Sequence, residues 1–130
     1  MRAVDTNVVV RLIVNDDPAQ TAAAHRAMSA EPILVPKSVV LETEWVLRSV
    51  YRLPSATIAT AIERLLGMVD VDVEDSIAVG RAVTWFKRGL DFADALHLAS
   101  SGNADAFLTF DVAMRRKAST LGATPPAVAP

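Results

Sequence analysis

The 130-residue sequence contains no cysteine, which excludes disulfides, thiolate metal sites and cysteine nucleophiles. Any metal ion must then be held by oxygen or imidazole. No run of eighteen apolar residues occurs, so no membrane-spanning helix and no membrane partner is expected. Arg2 is followed closely by Asp5, which does not fit a secretory leader. The protein is therefore expected to stay in the cytoplasm, where it is made. Repeats, linkers and low-complexity segments are also missing. The formal charge is only −2, which argues against a protein that coats nucleic acid electrostatically. An enzyme that uses metal ions to offset phosphate charge is still compatible with it.

What is present is a chain with 52% apolar residues, enough for the core of one domain spanning residues 1–130 and too short for two. Apolar Arg2–Val4 runs into Asp5-Thr6-Asn7 and reads as a buried strand. Val8–Val14 is rich in β-branched residues, and a helix capped by Thr6 or Asn7 is favoured. Asp17-Pro18 opens a helix to about Ala30, with Gln20 completing a capping box. Ile33–Val35 fits a buried strand between prolines, and Ser38 opens a helix that turns Val39, Trp45, Val46, Val50 and Tyr51 inward. Ser55 caps the next helix; Val69–Val73 alternates like a half-buried edge strand with Asp70 and Asp72 on its wet side. A helix carrying Ile77, Val79, Val83 and Phe86 follows and stops at Gly89. Asp91 caps Phe92–Ala99, Ala106–Phe110 reads as a buried strand ending at Asp111, and Ala127-Val128 is at most a short edge strand. Strands alternating with helices imply an α/β domain with a mainly parallel sheet.

In such a sheet the carboxyl ends of the strands form the binding crevice. Asp5 and Asp111 both follow apolar strands, Glu42 shares a helix face with Val39, Trp45 and Val46, and Asp94 lies in the first turn of an apolar helix. There the helix dipole favours its ionised form. Glu44 has Arg48 at i+4 and reads as a surface ion pair. Carboxylates gathered in one pocket repel by about 4 kcal/mol per pair at about 4 Å and an effective dielectric near 20. Cations must offset that repulsion or some of the carboxyls must stay protonated, and an all-oxygen donor set selects Mg²⁺ or Mn²⁺.

Asp5-Thr6-Asn7, Leu41-Glu42 before Trp45-Val46-Leu47, Asp91-Phe92-Ala93-Asp94-Ala95-Leu96 and Thr109-Phe110-Asp111, in that order, resemble the PIN domain. The resemblance covers nearly the whole chain and is strongest to the VapC toxins of type II toxin–antitoxin systems. It implies a three-layer α/β/α domain around a mainly parallel sheet of four or five strands. It implies an endoribonuclease in which Asp5, Glu42, Asp94 and Asp111 hold Mg²⁺ or Mn²⁺ and RNA is left with 5′-phosphate and 3′-hydroxyl ends. It also implies a homodimer, and an antitoxin that inhibits the nuclease and binds operator DNA, which the toxin does not bind by itself. Thr6 and Thr109 match positions whose hydroxyls support the acids or water, and Asn7 matches the residue after the first of these. Asp91 is a cap or an outer support of the same cluster.

Each residue also has a plainer reading. Asp5 and Asp111 taken singly are helix caps, His97 is an ordinary helix histidine, His25 is exposed, and Trp45, Trp85 and Phe86 are core residues. Arg81, Lys87, Arg88, Arg115, Arg116 and Lys117 are solvated cations or holders of RNA phosphates. Other functions compete as well. A receiver-like module needs an acceptor Asp after a central strand, and none lies between Glu31 and Asp70; a haloacid-dehalogenase phosphatase needs a second Asp where Asn7 stands. An RNA-processing PIN nuclease outside any toxin system and a catalytically silent acidic binding module stay open.

Overall fold

The computed structural model describes residues 1–130 as seven helices and five short strands, with one or two helices between successive strands. They form two compact units, Met1–Ser76 and Ile77–Pro130.

The first unit contains β1 (Arg2–Ala3), α1 (Thr6–Ile13), α2 (Pro18–Ala30), β2 (Ile33–Val35), α3 (Lys37–Ser49), α4 (Ser55–Leu66) and β3 (Val71–Val73). Its three strands pair in parallel in the order β1-β2-β3, with Ile33 opposite both Arg2 and Val71. Central β2 buries Ile33 and Val35. Edge strand β1 is exposed at Arg2 and Ala3, against the expectation of a buried first strand. α1 is helical, and its cap is Asp5 itself, which accepts from Val8 N at 3.2 Å, in place of Thr6 or Asn7. Asp17 caps α2 as expected, but the amide oxygen of Gln20 accepts from Asn7 Nδ2 instead of closing a capping box.

Proline, not serine, precedes both α3 and α4, and neither Ser38 nor Ser55 acts as the cap. The first N–H of α3, on Lys37, is satisfied from a distance by Glu74 Oε1 at 2.8 Å. α3 also faces the core with a different stripe from the one read in the sequence. Val40, Thr43, Glu44 and Leu47 are buried, at the i, i+3, i+4, i+7 spacing of one helix face, while Trp45 is 53% exposed and Val50 61%. Asp70 turns the chain with φ 63°, so β3 begins at Val71 and Val69 stays outside it.

The second unit contains α5 (Ser76–Lys87, its first residue belonging to the preceding unit), α6 (Phe92–Ala99), β4 (Phe107–Leu108), α7 (Val112–Leu121) and β5 (Ala127–Val128). α5 buries Val79, Val83, Trp85 and Phe86, whereas Ile77 in its first turn lies off that stripe and is exposed. Gly89, at φ 105°, lets the chain leave α5 in a conformation that a side chain would strain. The Phe86 and Phe92 rings meet edge to face at 5.4 Å and tie the start of α6 to the end of α5. β4 and β5 pair in parallel, Phe107 opposite Ala127. The apolar run Ala106–Phe110 is therefore a two-residue strand and not a buried five-residue one, and Phe110, beyond the ladder, is exposed. All strand pairing is parallel, as expected, but it is divided between a three-stranded and a two-stranded ladder.

Candidate functional site

In the first unit the turn after β1 places Asp5 at the N-terminus of α1 and leaves its carboxylate exposed. A cavity of about 440 Å³ is lined by Asp5, Thr6 and Asn7 of this turn, by Val10 and Arg11 of α1, and by Glu42, Val46, Val50 and Tyr51 of and just after α3. Asp5, Glu42, Thr6 and Asn7, singled out in the sequence, thus share one wall-to-wall space. The reason differs from the one anticipated for Glu42. It is exposed, on the half-open face of α3 with Val46, and not on the buried stripe. Glu44, expected at the surface, is the buried acid, with 1% of its area exposed. Its pairing with Arg48 Nε, at 2.8 Å, holds as expected. That pairing is what allows the charge to be buried.

Asn7 has two partners in this region: its Nδ2 donates to Gln20 and its Oδ1 accepts from Arg11 Nε at 3.3 Å. Arg11 also donates through Nη1 to Asp16, and Tyr51 Oη donates to the other Asp16 oxygen at 2.9 Å. The sequence reading missed Arg11, Asp16 and Tyr51. The i, i+4 spacing of Asn7 and Arg11 was the one local signal; the link to Tyr51 spans 35 residues.

In the second unit three acids sit at helix N-termini. Asp91 caps α6, accepting from Asp94 N at 3.1 Å; Asp94 is in the first turn; Asp111 caps α7, accepting from Met114 N at 2.9 Å. Thr109 Oγ1 accepts from Asp111 N at 3.1 Å, so this hydroxyl holds the main chain that carries the acid. Burial raises the pKa of the Asp94 carboxyl above the ordinary aspartate value, and the negative charges of Asp91 and Asp111 push it further in the same direction. His97 and Lys117 offset part of this. The helix dipole read from the sequence is overridden here, because desolvation and like charges oppose ionisation together.

Of the candidate phosphate holders, Arg81, Lys87, Arg88 and Arg116 are exposed. Arg115 is half-buried and donates to the Thr109 carbonyl at 2.8 Å, and Lys117 donates to the Gly89 carbonyl at 3.2 Å. Both steady loops that carry acids. His25 and His97 are exposed, as expected.

Oxygen donors dominate both units, which suits a hard divalent cation. Within neither unit, though, do three or more Asp, Glu or His side chains gather closely enough to hold one. In the first unit Asp5 and Glu42 line one cavity, and in the second burial and the charges of Asp91 and Asp111 oppose ionisation of Asp94.

The structure is mixed α/β with parallel ladders, and it carries acids at the helix starts that follow β1 and β4 and in the first turn of α6. The sequence matches the PIN domain family over residues 2–119, and the chain belongs to that family of nucleases. No curated protein matches the sequence. No helix is long and apolar enough to cross a membrane.

Proposed function

We propose that this PIN-domain protein is a Mg²⁺- or Mn²⁺-dependent endoribonuclease and the toxin of a VapBC-type toxin–antitoxin pair, with Asp5, Glu42, Asp94 and Asp111 as its metal ligands. The observation that carries the reading is the cavity on which Asp5 and Glu42 lie together with Thr6 and Asn7. The opposed ionisation of Asp94 supports it, since a carboxyl crowded by Asp91 and Asp111 gains a favourable partner when a cation arrives. A divalent cation bound by these acids supplies positive charge to offset the phosphodiester and acidifies water.

The chain's own residues have distinct tasks. Asp5 and Asp111, each anchored by the helix N–H group that it caps, present a second carboxylate oxygen in a fixed direction. Thr109 holds Asp111 in place through its hydroxyl, and Asp91 holds the backbone of Asp94. Thr6 and Asn7 line the same cavity as Asp5. A homodimer, an inhibitory antitoxin that carries the operator-binding activity, and a cytoplasmic location complete the proposal. The homodimer and the antitoxin follow from likeness to VapC toxins.

The test is cleavage of a short single-stranded RNA. Internal cuts are expected in Mg²⁺ or Mn²⁺, none in excess EDTA, and a loss of about a hundredfold or more in Asp94→Asn at unchanged melting behaviour or better. Undiminished cleavage by that variant, or in EDTA, overturns the assignment. Growth arrest on expression, relieved by the product of an adjacent gene, tests the toxin role separately.

A further inference from the structure

We propose that Arg11 is a phosphate-binding residue of the cavity that holds Asp5 and Glu42, and that Asp16 is the residue that positions it; this rests on the nuclease reading above. The Arg11 side chain is only 17% exposed and forms part of the cavity wall. Two of its five N–H donors are engaged, Nε by Asn7 Oδ1 and Nη1 by Asp16 Oδ1. Both bonds go to residues other than Asp5 and Glu42, so the cation is held at the wall without being consumed by the two acids beside it. Asp16 does not line the cavity, yet its carboxylate grips both Arg11 and Tyr51 Oη. One exposed anion outside the lining thus holds two polar groups of the wall.

The remaining donors of a guanidinium held in this way form a planar fork that matches the two non-bridging oxygens of a phosphodiester. Such a group is needed here. An RNA backbone that enters a space with two carboxylates is repelled, and a fixed cation on the same wall offsets that repulsion for the backbone while leaving the acids available as ligands. A simpler account is that Arg11, in the last turn of α1, complements the helix dipole. That explains a positive charge at this end of the helix. It does not explain why Asn7 and Asp16 immobilise the charge at the wall of the acid-bearing cavity while Tyr51 holds Asp16.

The experiment measures binding of a fluorescent single-stranded RNA in EDTA by anisotropy, over a range of salt, alongside steady-state cleavage in Mg²⁺. Arg11→Ala is expected to weaken binding about tenfold, to reduce the slope of log affinity against log salt by about 0.7, and to raise KM more than it lowers kcat. Arg11→Lys keeps the charge and loses the fork, so the salt slope stays while affinity falls. Asp16→Asn weakens binding too, and the Arg11→Ala/Asp16→Asn double variant binds no more weakly than Arg11→Ala alone. Folded Arg11 variants with wild-type affinity and salt slope overturn the proposal, and full additivity in the double variant overturns the positioning role of Asp16. Cleavage by the wild type together with unaffected Arg11 variants removes this inference alone. A wild-type chain that neither binds nor cuts RNA removes the nuclease reading as well.

Discussion

In the Met1–Ser76 unit, four acids are matched by cations: Glu44 by Arg48, Asp16 by Arg11, Asp75 by Lys37, and Glu31 by Arg2 and the N-terminal ammonium. In the Ile77–Pro130 unit, Arg115 and Lys117 donate to main-chain carbonyls, and ionisation of Asp94 is opposed by burial and by the charges of Asp91 and Asp111. A matched acid contributes to holding the fold. An acid whose ionisation is opposed by its neighbours lowers stability until something positive arrives, which is why perturbed carboxyls gather at functional sites. In the proposed metal-dependent nuclease the two units have different parts. The first presents Asp5 and Glu42 on a cavity with a cation already fixed in its wall, and the second holds Asp94 half-buried with its ionisation opposed.

Removing the scaffold of the second unit should have the largest effect. Phe92, at the start of α6, is fully buried and meets Phe86 edge to face, so Phe92→Ala is expected to cost about 4 kcal/mol in urea unfolding. Hydrogen exchange in that variant should rise first in α6 and α7. In the first unit Arg48→Ala strands the buried Glu44. Because Arg48 is itself half exposed, the expected cost is smaller, about 2 kcal/mol, with exchange rising first in α3 and α4. Adding Glu44→Gln should recover part of it. If both variants open both units together, the division of labour drawn here fails.

What the sequence makes legible is local. Asp17-Pro18, Gly89, Asp91 and Asp111 act through groups within four residues, and each does what its type predicts. The face of α3 was not legible in the same way. Val39, Trp45 and Val46 make one apolar stripe and Val40 and Leu47 another, and the choice between them is made by packing from elements distant in the chain. An arginine at i+4 reads as a surface sign, yet here it accompanies burial of Glu44, because a charge is buried only with its partner. Strand length and the division of the ladders depend on non-local pairing, which apolar runs such as Ala106–Phe110 do not encode. Of the proposed site, the four acids are named from their order and neighbours in the sequence. Arg11 is not, because its meaning comes from Asp16 and Tyr51.

The finest test of the contrast is the sign of a pH effect in each unit. Asp94 has its pKa raised above 3.8, chiefly by burial and then by Asp91 and Asp111. Its proton is therefore bound more tightly in the folded state, and stability is lost as pH rises from about that value through the folded pKa. At neutral pH without divalent ions the penalty is complete, so Asp94→Asn should raise the melting temperature there by about 1–2 °C. The gain should vanish toward pH 3.8, and added Mg²⁺ should stabilise the wild type more than the variant. Glu31 has the opposite sign: the N-terminal ammonium and Arg2 hold its pKa below 4.5. Its contribution is present above that value and disappears as pH falls through the folded pKa, so Glu31→Gln should slightly lower the melting temperature at pH 7 and not at pH 3. If both variants shift the melting temperature in the same direction at pH 7, the two units do not differ in how they treat charge, and the case for Asp94 as a waiting ligand weakens with it.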